Sequence, residues 1–201
     1  MATESGGTWQ PATELAGTGM LNKDGDGQVG SVSCAAPGDC LAGGDYADAS
    51  LRPQVYVATE TGGRWQAAQQ VPGTGTPTSA GKTELDSVSC AAPGDCTAGG
   101  AYIAPDGVEW ALVVSSTGGT WKKAQLLPGQ SALNGDPTAR AAVYSLSCPT
   151  PTSCGAGGSY IDRAGNFQAL VATETGGKWG AAQELPGSAA VTRAGSADEG
   201  S

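Results

Sequence analysis

Apolar positions in this chain fall in short runs broken by polar residues, and no stretch sustains the 3.6-residue spacing of an amphipathic helix. Strands are therefore predicted and helix is nearly absent. The runs recur. Ser-Val-Ser-Cys at 31–34 and 87–90 returns as Ser-Leu-Ser-Cys at 145–148 and predicts the first strand of a unit. A tight turn follows, Ala-Ala-Pro-Gly-Asp in two copies, with Pro and Gly at adjacent turn positions. The second strand begins at the next Cys, carries Ala-Gly-Gly-x-Tyr and ends at Tyr46, Tyr102 and Tyr160. The third covers 55–58, 111–114 and 169–172. Val57, Val113 and Val171 share its register beside Tyr56, Leu112 and Leu170, so it is expected to be the most buried strand, covered on both faces. The fourth begins at a periodic Trp, runs on through Gln-Ala-Ala-Gln-Gln-Val or its equivalents, and stops at Pro-Gly (72–73, 128–129, 186–187).

The periodicity is close to strict. Trp9, Trp65, Trp121 and Trp179 are 56, 56 and 58 residues apart, and Cys40, Cys96 and Cys154 each precede a Trp by 25. The Cys-to-Trp segment is thus the rigid unit, and insertions fall in the stretch from Trp to the next Cys. Four antiparallel strands in a unit of this length predict an all-β fold, a β-propeller-type array of four-stranded blades. The parts are a half-blade of strands three and four at 1–16, blades at 31–73, 87–129 and 145–187, and an inter-blade segment or tail at 188–201. Met1 aligns with Val57 in mid-strand, and Ser201 aligns with Ser87 at the start of another first strand. Propellers close with about 4–8 blades. The chain is therefore expected to be an incomplete piece of a longer repeat protein; the competing expectation is self-association of copies into a closed ring.

The turn between third and fourth strands reads Ala-Thr-Glu-Ser-Gly-Gly-Thr-Trp at 2–9, and close variants stand at 58–65, 114–121 and 172–179. It resembles the Asp-box hairpin of sialidase-like propellers, with Glu4, Glu60 and Glu174 where that pattern has Asp and Ser116 departing further. The Ser-x-Ser-Cys…Cys-x-Ala-x-Gly pairing is also similar to repeats of secreted bacterial propeller proteins. The resemblance implies fold far more than activity, because Asp boxes are turn-forming elements of enzymes and non-enzymes alike.

Composition changes the picture in three ways. Val, Leu, Ile and Phe make up only 27 of the 201 residues and the formal charge is −9, so the aliphatic core is thin. No run approaches a membrane span, and 19 acidic against 10 basic residues argues against nucleic acid as a partner. The absence of His removes every His-dependent triad and metal site. The cysteines form three Cys-x5-Cys pairs, Cys34/Cys40, Cys90/Cys96 and Cys148/Cys154, each spanning the first hairpin. Facing hairpin positions bring Cβ atoms to disulfide distance, and the spacing is not that of a zinc knuckle. Disulfides are expected, and with them an oxidising, extracellular or cell-surface location.

Candidate chemistry lies on the loop face that differs between units: 17–30, 47–53, 74–86, 103–108, 130–144 and 161–166. The opposite face repeats almost letter for letter, which marks Asp39, Asp95, Glu60 and Glu174 as structural. Asn22, Asp24, Asp26 and Gln28 supply oxygen ligands at alternate positions with glycines between, as a Ca²⁺ loop needs, although the closing acid is missing; an ordinary Asp-Gly turn is the simpler reading. Arg52, Arg140 and Arg163 fall on the same face, as a sialidase-like hydrolase would need for a substrate carboxylate, but match no alignable motif. Tyr46, Tyr102 and Tyr160, with Trp110 nearby, could stack on a sugar; as equivalent positions in every copy, they more simply fill gaps between blades, as the four periodic Trp do. No organic-cofactor motif is found. The expected function is a non-enzymatic binding module whose variable face takes a protein or glycan; the rivals are a sialidase-like glycoside hydrolase and a purely structural repeat of a larger surface protein.

Overall fold

The computed structural model describes residues 2, 4–22, 26–74, 81–133 and 140–188. The chain is all-β, 58% strand and 5% helix, and builds three separate antiparallel sheets, none closed into a barrel. An N-terminal hairpin of β1 (Glu4–Ser5) and β2 (Thr8–Trp9) precedes them. The first sheet holds β3 (Gln28–Ala36), β4 (Asp39–Ala47), β5 (Pro53–Thr61), β6 (Arg64–Trp65) and β7 (Gln69–Gln70). The second holds β8 (Lys82–Ala92), β9 (Asp95–Ile103), β10 (Glu109–Thr117), β11 (Thr120–Trp121) and β12 (Gln125–Leu126). The third holds β13 (Ala141–Thr150), β14 (Ser153–Ile161), β15 (Phe167–Thr175), β16 (Lys178–Trp179) and β17 (Gln183–Glu184). Two helical turns, α1 (Thr18–Leu21) and α2 (Gln130–Leu133), lie between units. In each sheet the first three strands pair in sequence order, and the last two short pieces both pair with the third.

Three expectations are corrected. The fourth strand is not continuous: it breaks between β6 and β7, and likewise in the other units. The break frees a backbone N–H to bond the preceding unit. Ala68, Ala124 and Ala182 donate to the carbonyls of Ala16, Pro72 and Pro128, at 2.7, 2.9 and 2.7 Å. The first strand starts earlier than its Ser-x-Ser-Cys signature at 31, 87 and 145, so parts of the presumed loops 17–30, 74–86 and 130–144 are strand. In β8, alternation carries this extension, with Thr83 and Leu85 buried between exposed neighbours. Nor is the third strand uniquely buried: Val57 and Val113 are fully buried, but the Gly-rich β4 and β9 are covered to the same degree, because their missing side chains let the next sheet settle directly on the backbone.

That close approach organises the core. Added Cβ atoms on Gly43 and Gly99 would sit 2.8 Å from the side chains of Leu85 and Val143 respectively. The buried clusters therefore lie between units rather than within them. One joins Val55 and Val57 to Leu85 and Val88, and another joins Val113 and Leu127 to Val143 and Leu170. Leu15 covers the first sheet in the same way, packing with Ala42, Tyr46 and Tyr56. The first strands run side by side, and the Ser-x-Ser motif stitches them. Val88 and Cys90 N–H donate to the Ser31 and Ser33 hydroxyls at 3.1 and 3.0 Å, and Leu146 and Cys148 N–H donate to Ser87 and Ser89 at 3.1 and 3.0 Å.

The three expected disulfides form, with Cα–Cα distances of 3.9, 4.0 and 4.1 Å; Cys34/Cys40 and Cys90/Cys96 are directly opposite in the ladder. They are consistent with an extracellular protein, and no described helix is long and apolar enough to cross a membrane.

Candidate functional site

A β-bulge recurs in every first strand and sets the site. Pairing slips between Val29 and Ser31, Leu85 and Ser87, and Val143 and Ser145, leaving Gly30, Asp86 and Tyr144 unpaired. Such bulges redirect a side chain out of the pleat. Here they put three different residues at the variable end of three adjacent strands. Asp86 stands on a carboxylate-rich patch with Asp45 and Glu84, which with Asp26 and Gln28 line a depression of about 450 Å³. On its other side, Glu109, Arg140, Tyr144 and Phe167 line a smaller cavity of about 110 Å³. Tyr144 and Phe167 are 54% and 56% exposed, so apolar rings flank the carboxylates.

Asp86 keeps access to solvent, but partial desolvation at the bulge pushes its carboxyl up to about 6, and the charges of Asp45, Glu84 and Glu109 add to the rise. Asp45 is raised by burial and partly held down by hydrogen bonds from Leu85 N–H (2.8 Å) and the Gln28 amide (3.3 Å). Burial also raises Glu109, with Arg140 opposing the rise. A carboxyl whose folded pKa lies above its unfolded value of 3.8 holds a proton in the folded state that the unfolded chain releases. Stability is therefore expected to increase as pH falls from about 7 to about 4.5. Asp48 and Asp162, whose values are lowered, act oppositely below that range. Solvent screening at this exposed position keeps the effect small, so thermal melts should show a slightly higher midpoint at mildly acid pH, and Asp86→Asn should raise the neutral-pH midpoint and flatten the difference. An unchanged pH profile in that variant would remove Asp86 from this account.

The loops 48–52, 104–108 and 162–166 share one backbone turn, closed by Asp48, Ala104 and Asp162 N–H donating to the carbonyls of Arg52, Val108 and Asn166. Gly107 and Gly165 take positive φ there, at 88° and 83°; Leu51 takes the same position at 60° and is 71% exposed beside the acidic depression. A left-handed leucine costs about 1–2 kcal/mol that glycine avoids, and this one buries almost nothing in return.

The other candidates separate. Arg52 is bound into its own turn by Asp48, with a 2.9 Å ion pair. Arg140 stands by Glu109, and Arg163 lies exposed on the third turn, so the arginines do not line a common cavity among those described. Tyr46 and Tyr160 are 5% and 3% exposed and fill space between units, Tyr160 donating to Glu184 at 2.9 Å. Tyr102 and Trp110 are half-buried. Trp65 and Trp121 pack against the inter-unit clusters and Trp179 is buried within one, whereas Trp9 is 70% exposed. Of the calcium-like set, Asp24 lies outside the described residues. Asn22 accepts from Asp26 N–H at 3.1 Å, while Gln28 turns its amide to Asp45. No group of acids suited to a metal ion occurs among the described residues. Asn22 and Gln28 instead line a cavity of about 380 Å³ with Leu15, Leu21, Tyr46 and Tyr56.

On the repeated face, Asp39 and Asp95 accept from Gly62 and Gly118 N–H at 3.3 and 2.8 Å, tying the two hairpin turns of a unit together. Ser116 makes the equivalent link to Gly94 and Cys96. Those acids are absorbed in structure. Compared with known protein families and with curated proteins, the chain finds no match.

Proposed function

We propose that this chain is a non-enzymatic binding module of an extracellular or cell-surface protein, its three sheets being propeller-type blades of the Asp-box kind that hold up a variable loop face. The observation that carries the reading is the difference between equivalent positions on one face. A repeated bulge presents Gly30, Asp86 and Tyr144, and a repeated turn presents Leu51 where the other units place glycine. Exposed Leu51, Tyr144 and Phe167 around a set of carboxylates suit a protein partner with apolar and basic groups, and a glycan is the second ligand class to test. Exposed apolar side chains held at a conformational cost are what a binding surface retains and a purely structural repeat would lose.

The test is an array of immobilised peptides and glycans probed with the native chain and with Leu51→Gly, Tyr144→Ser and Phe167→Ser. Leu51→Gly is expected to stabilise the fold by about 1 kcal/mol while weakening binding. Binders that ignore all three substitutions, or none above background, would remove this reading. Turnover of chromogenic glycosides that Arg163→Ala abolishes would replace it with a hydrolase.

A further inference from the structure

The repeat shows what covers each sheet; among the described residues that cover is only partial at the first sheet, where Leu15 packs, and is not found on the outer side of the third. Leu85 and Val88, which pack onto Gly43, are 4% and 6% exposed; their counterparts on β3, Val29 and Val32, are 44% and 56% exposed. At the other end, Gly157 occupies the place of Gly43 and Gly99, yet an added Cβ there would meet nothing within 4 Å. Val171 is half-buried where Val57 and Val113 are fully buried. Leu185 is 46% exposed where Val71 and Leu127 are 1% and 2%. The hydroxyl-bearing Ser145 and Ser147 are exposed as well, in the register where Ser31, Ser33, Ser87 and Ser89 accept N–H groups from the next first strand. The equivalent donors, Val32 and Cys34 N–H, lie on the open edge of β3, whose pairing with β4 matches that of β8 with β9.

We infer that these two surfaces bind each other between molecules: the open side of the third sheet in one copy takes the first strand of the first sheet in a second copy. The contact continues the interface already used twice within the chain, with Val29 and Val32 seated on Gly157 and with Ser145 and Ser147 accepting from Val32 and Cys34. It requires an exchange. Leu15 already covers Ala42, Tyr46 and Tyr56, so Leu185 of the incoming copy must replace it, and the hairpin β1–β2 must move aside. Described residues 2–14 are exposed wherever their side chains are placed, so little packing opposes that move. The exchange trades one leucine for another and additionally covers Val29, Val32, Val171 and the Gly157 backbone. Two copies that each use both of these surfaces satisfy them mutually, so a closed pair is the expected assembly; further addition would require one of the two contacts to stay open. This inference rests on the stacking geometry and not on what the variable face binds.

Sedimentation velocity on the full chain, from low micromolar to near-millimolar concentration, tests it. The mass is expected to rise from one chain toward two. Gly157→Ala should leave the monomer's thermal midpoint unchanged or slightly raised, because its Cβ enters open space. It should nevertheless weaken association at least about tenfold, because the same atom on Gly43 or Gly99 would collide with the seated side chains. Val32→Glu, exposed in the monomer, should do the same. A single-chain mass at every concentration would overturn the inference, and so would association that survives both substitutions. Binding on the peptide and glycan array by the Gly157→Ala monomer keeps the two proposals separable.

Discussion

Gly158→Ala is expected to lower stability by roughly 3 kcal/mol or more, with a drop of about 10 °C in the thermal midpoint. The reason is local. Gly158 lies opposite Val143 across the bulge, and a Cβ there would fall 1.9 Å from the carbonyl oxygen of Ala142, with two more backbone atoms of the same strand at about 3 Å. Backbone cannot rotate out of the way as a side chain can. Either the bulge opens and breaks its pairing, or β14 shifts and lifts the sheet from its neighbour. Gly44 and Gly100 meet Gln28 and Glu84 carbonyls at 1.9 and 2.1 Å, so alanine there should cost a similar amount. The adjacent Gly157→Ala is the internal control. It enters open space, and removing a strand glycine should leave stability unchanged or slightly raised. Equal midpoints for the 157 and 158 variants would show that the bulge does not have this geometry. Circular dichroism melts at low protein concentration settle the comparison.

The Ala-Gly-Gly motif was legible as strand, but not the reason for its second glycine. That reason lies in a neighbouring strand whose slip the Ser-x-Ser-Cys alternation hides. A signal was present: Val29 and Val32, Leu85 and Val88, and Val143 and Leu146 stand three apart, where an unbroken strand would place inward residues two or four apart. That spacing marks a bulge, and with it the divergent residues Asp86 and Tyr144, which reading the Arg and Tyr positions alone missed. The strand order, the cysteine pairs and the repeated and variable faces all followed from period and alternation, because each is a local property copied three times. The broken fourth strand did not, since the bonds that interrupt it come from the preceding unit. Likewise Gln28 belongs to strand and to Asp45 through tertiary contact, which the spacing of a calcium-like loop cannot reveal. Leu51 is a different case: its alignment with Gly107 and Gly165 lay in the sequence, but only the structure shows that it keeps their positive φ.

Reduction of the three disulfides is expected to unfold the protein or bring it close to unfolding at ordinary temperature. In the chain-entropy model, closing a loop of seven residues contributes about 2.4 kcal/mol, so three such loops approach the total stability of many domains, roughly 5–15 kcal/mol. Packing adds to this. Cys96 sits in the cluster between the first and second sheets, and Cys148 and Cys154 in the one between the second and third, so replacing them also alters surfaces on which the sheets meet. Cys34/Cys40 belongs to neither cluster. The expected order of loss on replacing each pair by serine is therefore smallest for Cys34/Cys40, larger for Cys90/Cys96, and largest for Cys148/Cys154, whose two residues are both buried. A thin aliphatic core cannot compensate, because the residues that cover one unit are supplied by the next, and separation of one sheet exposes two. Urea melts of the native, fully reduced and three pair-replaced proteins test this. Reduction that leaves the midpoint unchanged would mean that inter-sheet packing alone carries the stability, whereas equal losses for all three pairs would mean that loop closure, not place in the clusters, sets each contribution.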